Sequence, residues 1–395
     1  MNNAPLRRRG LMLSPQGLVQ AKEPGEWQQA MRAASPVHFD EARGCWDVFL
    51  YEDVLTVLSD YKRFSSARNL QGQQETLINM DPPKHMRYRT LVSQAFTLKA
   101  VQNLAPRIEE LARELIDEVL DQGEIDLVER ISFPLPVIVI AELLGVPKAD
   151  IDKFKHWSDL MVQGVDLSAG EDYQTLMRAK QQAMGELHQY FGAIIQERRI
   201  RREQDMISAL LDAKVDDQHL ELPELLSFCF LLLVAGNETT TNLITNSIYT
   251  FLEDRTRYEQ LLNDRSLLTG AIEEVLRFRS PVQSMSRIAA ADLELGGRQI
   301  KQCDELIAWI GSANLDERKF PDADSFRIDR TPNQHLAFGH GVHFCLGAPL
   351  ARLEAQIALN AILTKLPNLR RVDGQEPQKI ASPIVYGFKN LQVQF

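Results

Sequence analysis

The chain has 395 residues, is 44% hydrophobic and carries 44 Lys and Arg against 54 Asp and Glu, for a net charge of −10. So acidic a chain lacks the clustered cations that a phosphate backbone demands, which excludes nucleic acid as a partner, while its hydrophobic content suits a globular protein with a sizeable core. The four cysteines, Cys45, Cys229, Cys303 and Cys345, form no CxxC pair; this argues against a disulfide framework or a zinc site and for a reducing, cytoplasmic setting.

The run Arg7-Arg8-Arg9 begins like a signal peptide, but only Leu11, Met12 and Leu13 follow before Ser14-Pro15. That is too short for an apolar targeting region, so the run reads as a frayed basic terminus. Residues 36–39 and 45–50 are β-prone and flank a turn ending at Gly44, which predicts a hairpin in a β-rich part at about 36–50. Helical periodicity then holds from 53 to 279, as in Ile108, Leu111, Leu115 and Val119, or Leu187, Phe191 and Ile195. Pro134 and Pro136 interrupt it before an apolar stretch at 137–144 that predicts a buried helix, stopped by Gly145 and Pro147. Asp81-Pro82-Pro83 marks a helix start, after which His85 and Arg89 stand i, i+4 on one face. By spacing alone, such basic residues are solvated.

The longest nearly apolar run, 225–236, is shorter than the roughly 20 residues that span a bilayer, so no membrane span is expected. It lies inside a helical run from about 222 to 252, with Pro223 suited to the first turn. The segment Ala235-Gly236-Asn237-Glu238-Thr239-Thr240 is costly in mid-helix, because Gly weakens a helix by about 1 kcal/mol relative to Ala and a buried carboxylate needs partners. Two readings stay open here: the helix emerges into water at Asn237, or it carries a polar site. Further on, Leu268, Ala271, Ile272, Val275 and Leu276 make one apolar helix stripe, and Glu274 and Arg277 fall off it. Periodicity alone reads that pair as a surface ion pair worth little.

From 293 to 310 the pattern becomes β-rich: a hairpin around Gly296-Gly297, then a strand at 306–310. An irregular stretch at 312–336 precedes a closing helix at about 350–365. Without repeats or linkers, the whole chain, 1–395, reads as one mainly α domain with a smaller β portion.

The most informative stretch is Phe338-Gly339-His340-Gly341-Val342-His343-Phe344-Cys345-Leu346-Gly347. The glycines let the loop curl around the cysteine, and Ala348-Pro349 open a helix whose free N–H groups and dipole favour a thiolate. Phe338, Gly339, Gly341, His343, Cys345 and Gly347 match the haem-ligating signature Phe-Gly-x-Gly-x-His-x-Cys-x-Gly. The chain thus resembles the cytochrome P450 superfamily, in its soluble bacterial branch, over almost its whole length.

That resemblance implies the P450 fold, with haem b between the long central helix and the Cys-loop helix, and Cys345 as the axial iron ligand. It implies that His85, Arg89, Arg287 and His343 hold the haem propionates, with Ala235 and Gly236 leaving space above the ring and Gly347 beside the sulfur. Thr239 then hydrogen-bonds dioxygen or an adjacent water, and Glu238 relays protons, where the central helix is locally opened. Glu274, Arg277 and Arg330 become a buried structural triad supporting the loop that Phe338 opens. Substrate contacts fall on Leu231, Val234, Val282, Gln283 and Val385, with Gln283, Ser284 and Ser286 as polar handles and 66–78 and 162–170 as lids. The implied activity is monooxygenation of a lipophilic small molecule, such as a fatty acid, terpenoid, steroid or polyketide. Electrons come from a ferredoxin or flavodoxin with its reductase, docked on Arg87, Arg107 and Arg352, since no GxGxxG unit marks a nicotinamide domain. The protein is expected to act as a monomer. Rival readings are a peroxide-driven peroxygenase of the same fold and a non-catalytic haem sensor or carrier.

Overall fold

The computed structural model describes residues 11, 14–21, 23–67, 75–162 and 173–395. The basic run at 7–9, and the bulk of the two expected lids (68–74 and 163–170), lie outside the described residues.

The strands β1 (Val37–Asp40), β2 (Cys45–Val48), β3 (Phe64–Ser65), β4 (Ser284–Ala289) and β5 (Glu305–Trp309) form one sheet in the order β1-β2-β5-β4-β3. The expected hairpin sets Val37 opposite Val48 and turns at Gly44, whose φ of +64° costs little without a Cβ. The central strand β5 is buried along its whole length, as strands covered on both faces are. Strand β4 escapes the sequence pattern because Ser284-Met285-Ser286-Arg287 shows no branched or aromatic alternation. Its serines are buried by hydrogen bonding instead: Ser284 Oγ donates to the Pro383 carbonyl at 2.7 Å and Ser286 Oγ to Glu305 Oε1 at 2.8 Å.

The stretch 53–279 is not wholly helical. Glu124–Asp126 pairs with Gln392–Gln394, which also pairs with Arg370–Arg371. The segment Leu293–Leu295 with Arg298–Ile300 is the expected hairpin. Pro134 and Pro136 do not interrupt a helix; they begin one, Pro134–Leu143, where their missing N–H groups need no intrahelical partner. It ends as expected at Gly145, φ +72°.

The central helix spans Leu222–Glu253 and opens with a capping box, the Glu221 amide donating to Glu224 Oε2 at 2.8 Å. By length and composition it could cross a membrane, contrary to the expectation from its apolar run. It packs, however, against Pro134–Leu143, Ile151–Val162, Tyr173–Ile200 and Ala348–Lys365 in the main core. It does not emerge into water at Asn237, which is fully buried and donates to Ser158 Oγ.

Candidate active site

The sulfur loop is built as its glycines suggest. Gly339 and Gly341 take φ of +69° and +71°, where a Cβ is strained. A Cβ on Gly341 would also meet the Ser59 backbone at 3.0 Å, so the loop seats closely on helix Tyr51–Ser59. The Cys345 amide donates to the Phe338 carbonyl at 2.9 Å, closing the loop on itself. Helix Ala348–Lys365 starts directly behind it, and the Gly347 and Ala348 amides point at Sγ. Burial pushes the thiol up, while those amides, Arg89 and Arg352 act the other way and favour the thiolate.

Beside this loop lies a cluster of cations and imidazoles. His85, on helix Lys84–Ala95, is fully buried, and its ring centroid lies 4.2 Å from that of His343. Neither His85 nitrogen, nor His343 Nε2, has a hydrogen-bond partner. Arg89, one turn on from His85, donates to the Phe344 carbonyl at 2.7 Å. Arg287, on β4, and Arg89 both bear electrostatically on His343. Burial, and then the charges of Arg287, His85 and Arg89, push the His343 imidazolium down to about 3. Buried orphan imidazole nitrogens among cations make a site that calls for an anion.

On the central helix, Leu231, Val234, Ala235, Glu238 and Thr239 are all incompletely covered, whereas Leu233, Asn237 and Thr240 are buried. The first five recur at i, i+3, i+4, i+7 and i+8, a single stripe of the central helix. Glu238 carries the only acid on that stripe. Burial raises its carboxyl to about 7, against a partial opposing pull from Lys180 on helix Tyr173–Ile200. Lys180, itself pushed down by burial, donates to the Met161 carbonyl at 3.0 Å. Lys180 went unread in the sequence, since it is one of many polar residues on a long amphipathic helix and only the fold brings it to Glu238.

Two details differ from expectation. The helix runs unbroken through 235–241, with Thr239 Oγ1 donating to the Ala235 carbonyl at 2.8 Å and Thr240 Oγ1 to Gly236 at 3.0 Å. Gly236 does not open space on the Ala235 side; a Cβ there would meet Ile140 Cδ1 at 3.0 Å, so it serves close helix packing.

The comparisons with known proteins agree along the chain. The family described as Cytochrome P450 matches residues 47–395. The chain is 44% identical to cytochrome P450 109 of Bacillus spizizenii over 365 residues, covering 92% of this chain and 90% of that protein. It superposes on crystal structures of CYP109E1 from Bacillus megaterium. The complex with testosterone gives a TM-score of 0.88 at 45% identity, covering 94% of this chain and 99% of that one. The complex with corticosterone gives 0.89 at 45% identity, with 94% and 98% covered. The chain belongs to the cytochrome P450 family.

P450s are haem-binding oxidoreductases, and the residues here fit that group: a half-buried sulfur facing two helix amides, and orphan imidazole nitrogens beside two arginines, suited to the porphyrin's two carboxylates.

This P450 holds the sulfur loop from behind through Glu274, fully buried like Arg277. Glu274 accepts from the Arg277 fork at 2.9 and 2.7 Å, from Arg330 Nε at 2.9 and 3.1 Å, from Asn333 Nδ2 at 3.0 Å and from the Arg327 amide at 3.0 Å. The remaining donors of Arg277 and Arg330 reach the carbonyls of Asn314, Pro321, Asp322, Ala323 and Ser325. One carboxylate thus pins the irregular segment that leads to Phe338. The surface reading of this pair is overturned, because the meander covers the helix face that periodicity leaves open.

Gln283 is not a substrate handle. It is buried, its Nε2 donates to the Ser280 carbonyl at 2.8 Å and its Oε1 accepts from Gln28 at 3.1 Å. With Ser284 and Ser286 bonded internally, that wall keeps Val282, bridged to Val385, and Met285 as its partly covered side chains. The three arginines expected to dock a partner are each paired while staying partly exposed: Arg107 forks onto Glu142, Arg352 onto Glu273, and Arg87 leans on Glu224 and the His219 carbonyl.

A further buried acid lies outside these networks and has an unpartnered oxygen. Glu354, on helix Ala348–Lys365, has an Oε1 with no partner, and burial raises its carboxyl to about 8. Its folded-state pKa lies above the unfolded value. The folded chain therefore keeps a proton that the unfolded chain releases, and the stability present below pH 4.5 drains as pH rises through about 8. Glu354→Gln is expected to gain on the parent by roughly 2–4 kcal/mol between pH 5 and pH 9 in urea unfolding. Parallel pH profiles for the two proteins would count against a buried neutral acid.

Proposed function

We propose that this P450 is a monooxygenase of a lipophilic, steroid-sized substrate, with Cys345 as axial ligand to haem b and His85, Arg89, Arg287 and His343 as its propionate cradle. Two observations support the reading: a sulfur held at a helix N-terminus, and, on the central helix that packs against that same helix, an incompletely covered stripe bearing one acid and one alcohol. Bound haem supplies dioxygen activation, and a thiolate ligand favours O–O cleavage.

The chain's own part is proton and substrate handling. Glu238, near neutral pKa, can release a proton inward at Oε and regain one from the solvent side, where Lys180 steadies its anion. Thr239 Oγ1, which donates to the Ala235 carbonyl at 2.8 Å, would be the hydroxyl available to donate to dioxygen or a bridging water. Leu231, Val234 and Ala235 from the central helix, with Val282 and Val385, present an apolar wall that excludes water and orients an apolar skeleton. The testosterone and corticosterone complexes of CYP109E1 support a rigid, lipophilic ligand of that size. Electrons come from a ferredoxin or flavodoxin with its reductase, and the working unit is a monomer.

The test is Thr239→Ala, assayed with a ferredoxin system and a steroid panel. Oxygen consumption is expected to continue while product per oxygen falls several-fold. Unchanged yield, or better turnover with peroxide than with the ferredoxin, favours the peroxygenase reading instead.

A further inference from the structure

The carboxylate next to Glu274 in the chain faces the other way. Glu273 receives the Arg352 fork, Nε to Oε1 at 2.7 Å and Nη2 to Oε2 at 2.9 Å, and meets His335 Nε2 at 3.0 Å. These three residues come from three separate segments: helix Leu268–Phe278, the strip before the sulfur loop, and helix Ala348–Lys365. They enclose one ring. The Arg352 guanidinium lies 4.4 Å from the Phe338 centroid, and the His335 and Phe338 centroids are 6.2 Å apart. Phe338 in turn gives its carbonyl to the Cys345 amide at 2.9 Å, and the charge of Arg352 reaches the sulfur.

We propose that Glu273, Arg352 and His335 form a second carboxylate-centred clamp, stacked on Phe338, that sets how strongly the Cys345 sulfur donates electrons to bound haem. The clamp deepens the reading of Cys345 as the haem ligand and rests on it. Its three members are positioning residues; none touches the cofactor.

Geometry and charge both act. The planar fork fixes Arg352 flat against the ring, a placement that a lysine's point charge does not reproduce. Glu273 holds the guanidinium and offsets its charge within a few ångströms of the sulfur loop. Burial would raise the Glu273 carboxyl, but Arg352 and His335 outweigh it and bring it down to about 2, so the offset persists at every working pH.

The experiment uses the holoenzyme and compares Glu273→Gln, Arg352→Gln and Arg352→Lys with the parent. The readouts are the haem reduction potential, the absorption of the reduced carbon monoxide adduct, and the melting temperature. Removing the carboxylate leaves Arg352 uncompensated and is expected to raise the potential. Removing the guanidinium is expected to lower it, and Arg352→Lys to fall between Arg352→Gln and the parent. Arg352→Gln is expected to increase the share of adduct whose sulfur is protonated, and Glu273→Gln to leave that share at or below the parent's. Potentials that stay at the parent value, or that move in the same direction in both glutamine variants, overturn the proposal and leave a purely structural tie, whatever the melting temperatures do. Should a glutamine variant not retain haem, His335→Gln carries the same test, with an altered potential expected and an unaltered one overturning the clamp. A parent adduct without thiolate character is a different outcome, because it refutes the Cys345 reading beneath the clamp.

Discussion

Glu274→Gln is expected to cost 3–5 kcal/mol of unfolding free energy, about what removing one partner of a buried ion pair costs. It should also reduce haem retention sharply. The reason lies in the accounting of donors. Glu274, fully buried like Arg277, accepts from two guanidinium groups, an amide side chain and a main-chain amide. A glutamine keeps the volume but cannot satisfy two buried cations, so Arg277 and Arg330 retain charge with no counter-ion. The irregular segment they pin then loosens, and with it the approach to Phe338. Urea unfolding of the parent and variant, with haem absorbance followed through the transition, checks this directly. A loss below about 1 kcal/mol is the value expected of an exposed pair and would contradict the buried network.

Glu238→Gln is expected to lower substrate turnover about 10²-fold, within the usual range for losing a positioned acid–base group, while substrate affinity changes little. The pH dependence gives the sharper expectation. A carboxyl held near 7 changes protonation across the working range, so turnover in the parent should vary between pH 6 and 8.5, and the variant's residual rate should be flat there. Lys180→Met removes the one charge that pulls this carboxyl down, so the parent's pH inflection should move upward. An inflection unmoved in Lys180→Met would assign the titration to another group. A stability effect accompanies it, with the same sign as at Glu354. Because Glu238 binds its proton more tightly folded than unfolded, the parent loses stability as pH rises from 4.5 through about 7.

The chemistry of the site was legible in the sequence wherever one short segment carries it whole. The sulfur loop is such a case, since glycines, cysteine and helix start are contiguous and the backbone realises them together. His85 and Arg89 were legible as a shared helix face, though only the fold sets His343 against His85. The central helix was bounded to within one residue, because its apolar run and capping residues are local signals. What stayed hidden depends on long-range placement. Strand β4 is made of serines and an arginine that become β only by pairing with β5. Gln283 reads as a free amide until Gln28, 255 positions away, closes on it. Glu273 and Glu274 are adjacent in sequence, and nothing in their periodicity tells that one turns to the meander and the other to Arg352. The prolines at 134 and 136 carry a signal that points either way, breaker or helix start, and the packing beneath the central helix decides it.

The account depends on one bond, between the Cys345 sulfur and haem iron. The absorption spectrum of the reduced carbon monoxide adduct measures it, in the purified protein and in Cys345→His after haem supplementation. The account predicts a thiolate-type band in the parent that is lost in the variant. A parent spectrum like that of a histidine-ligated globin, or a thiolate band that survives the substitution, contradicts it.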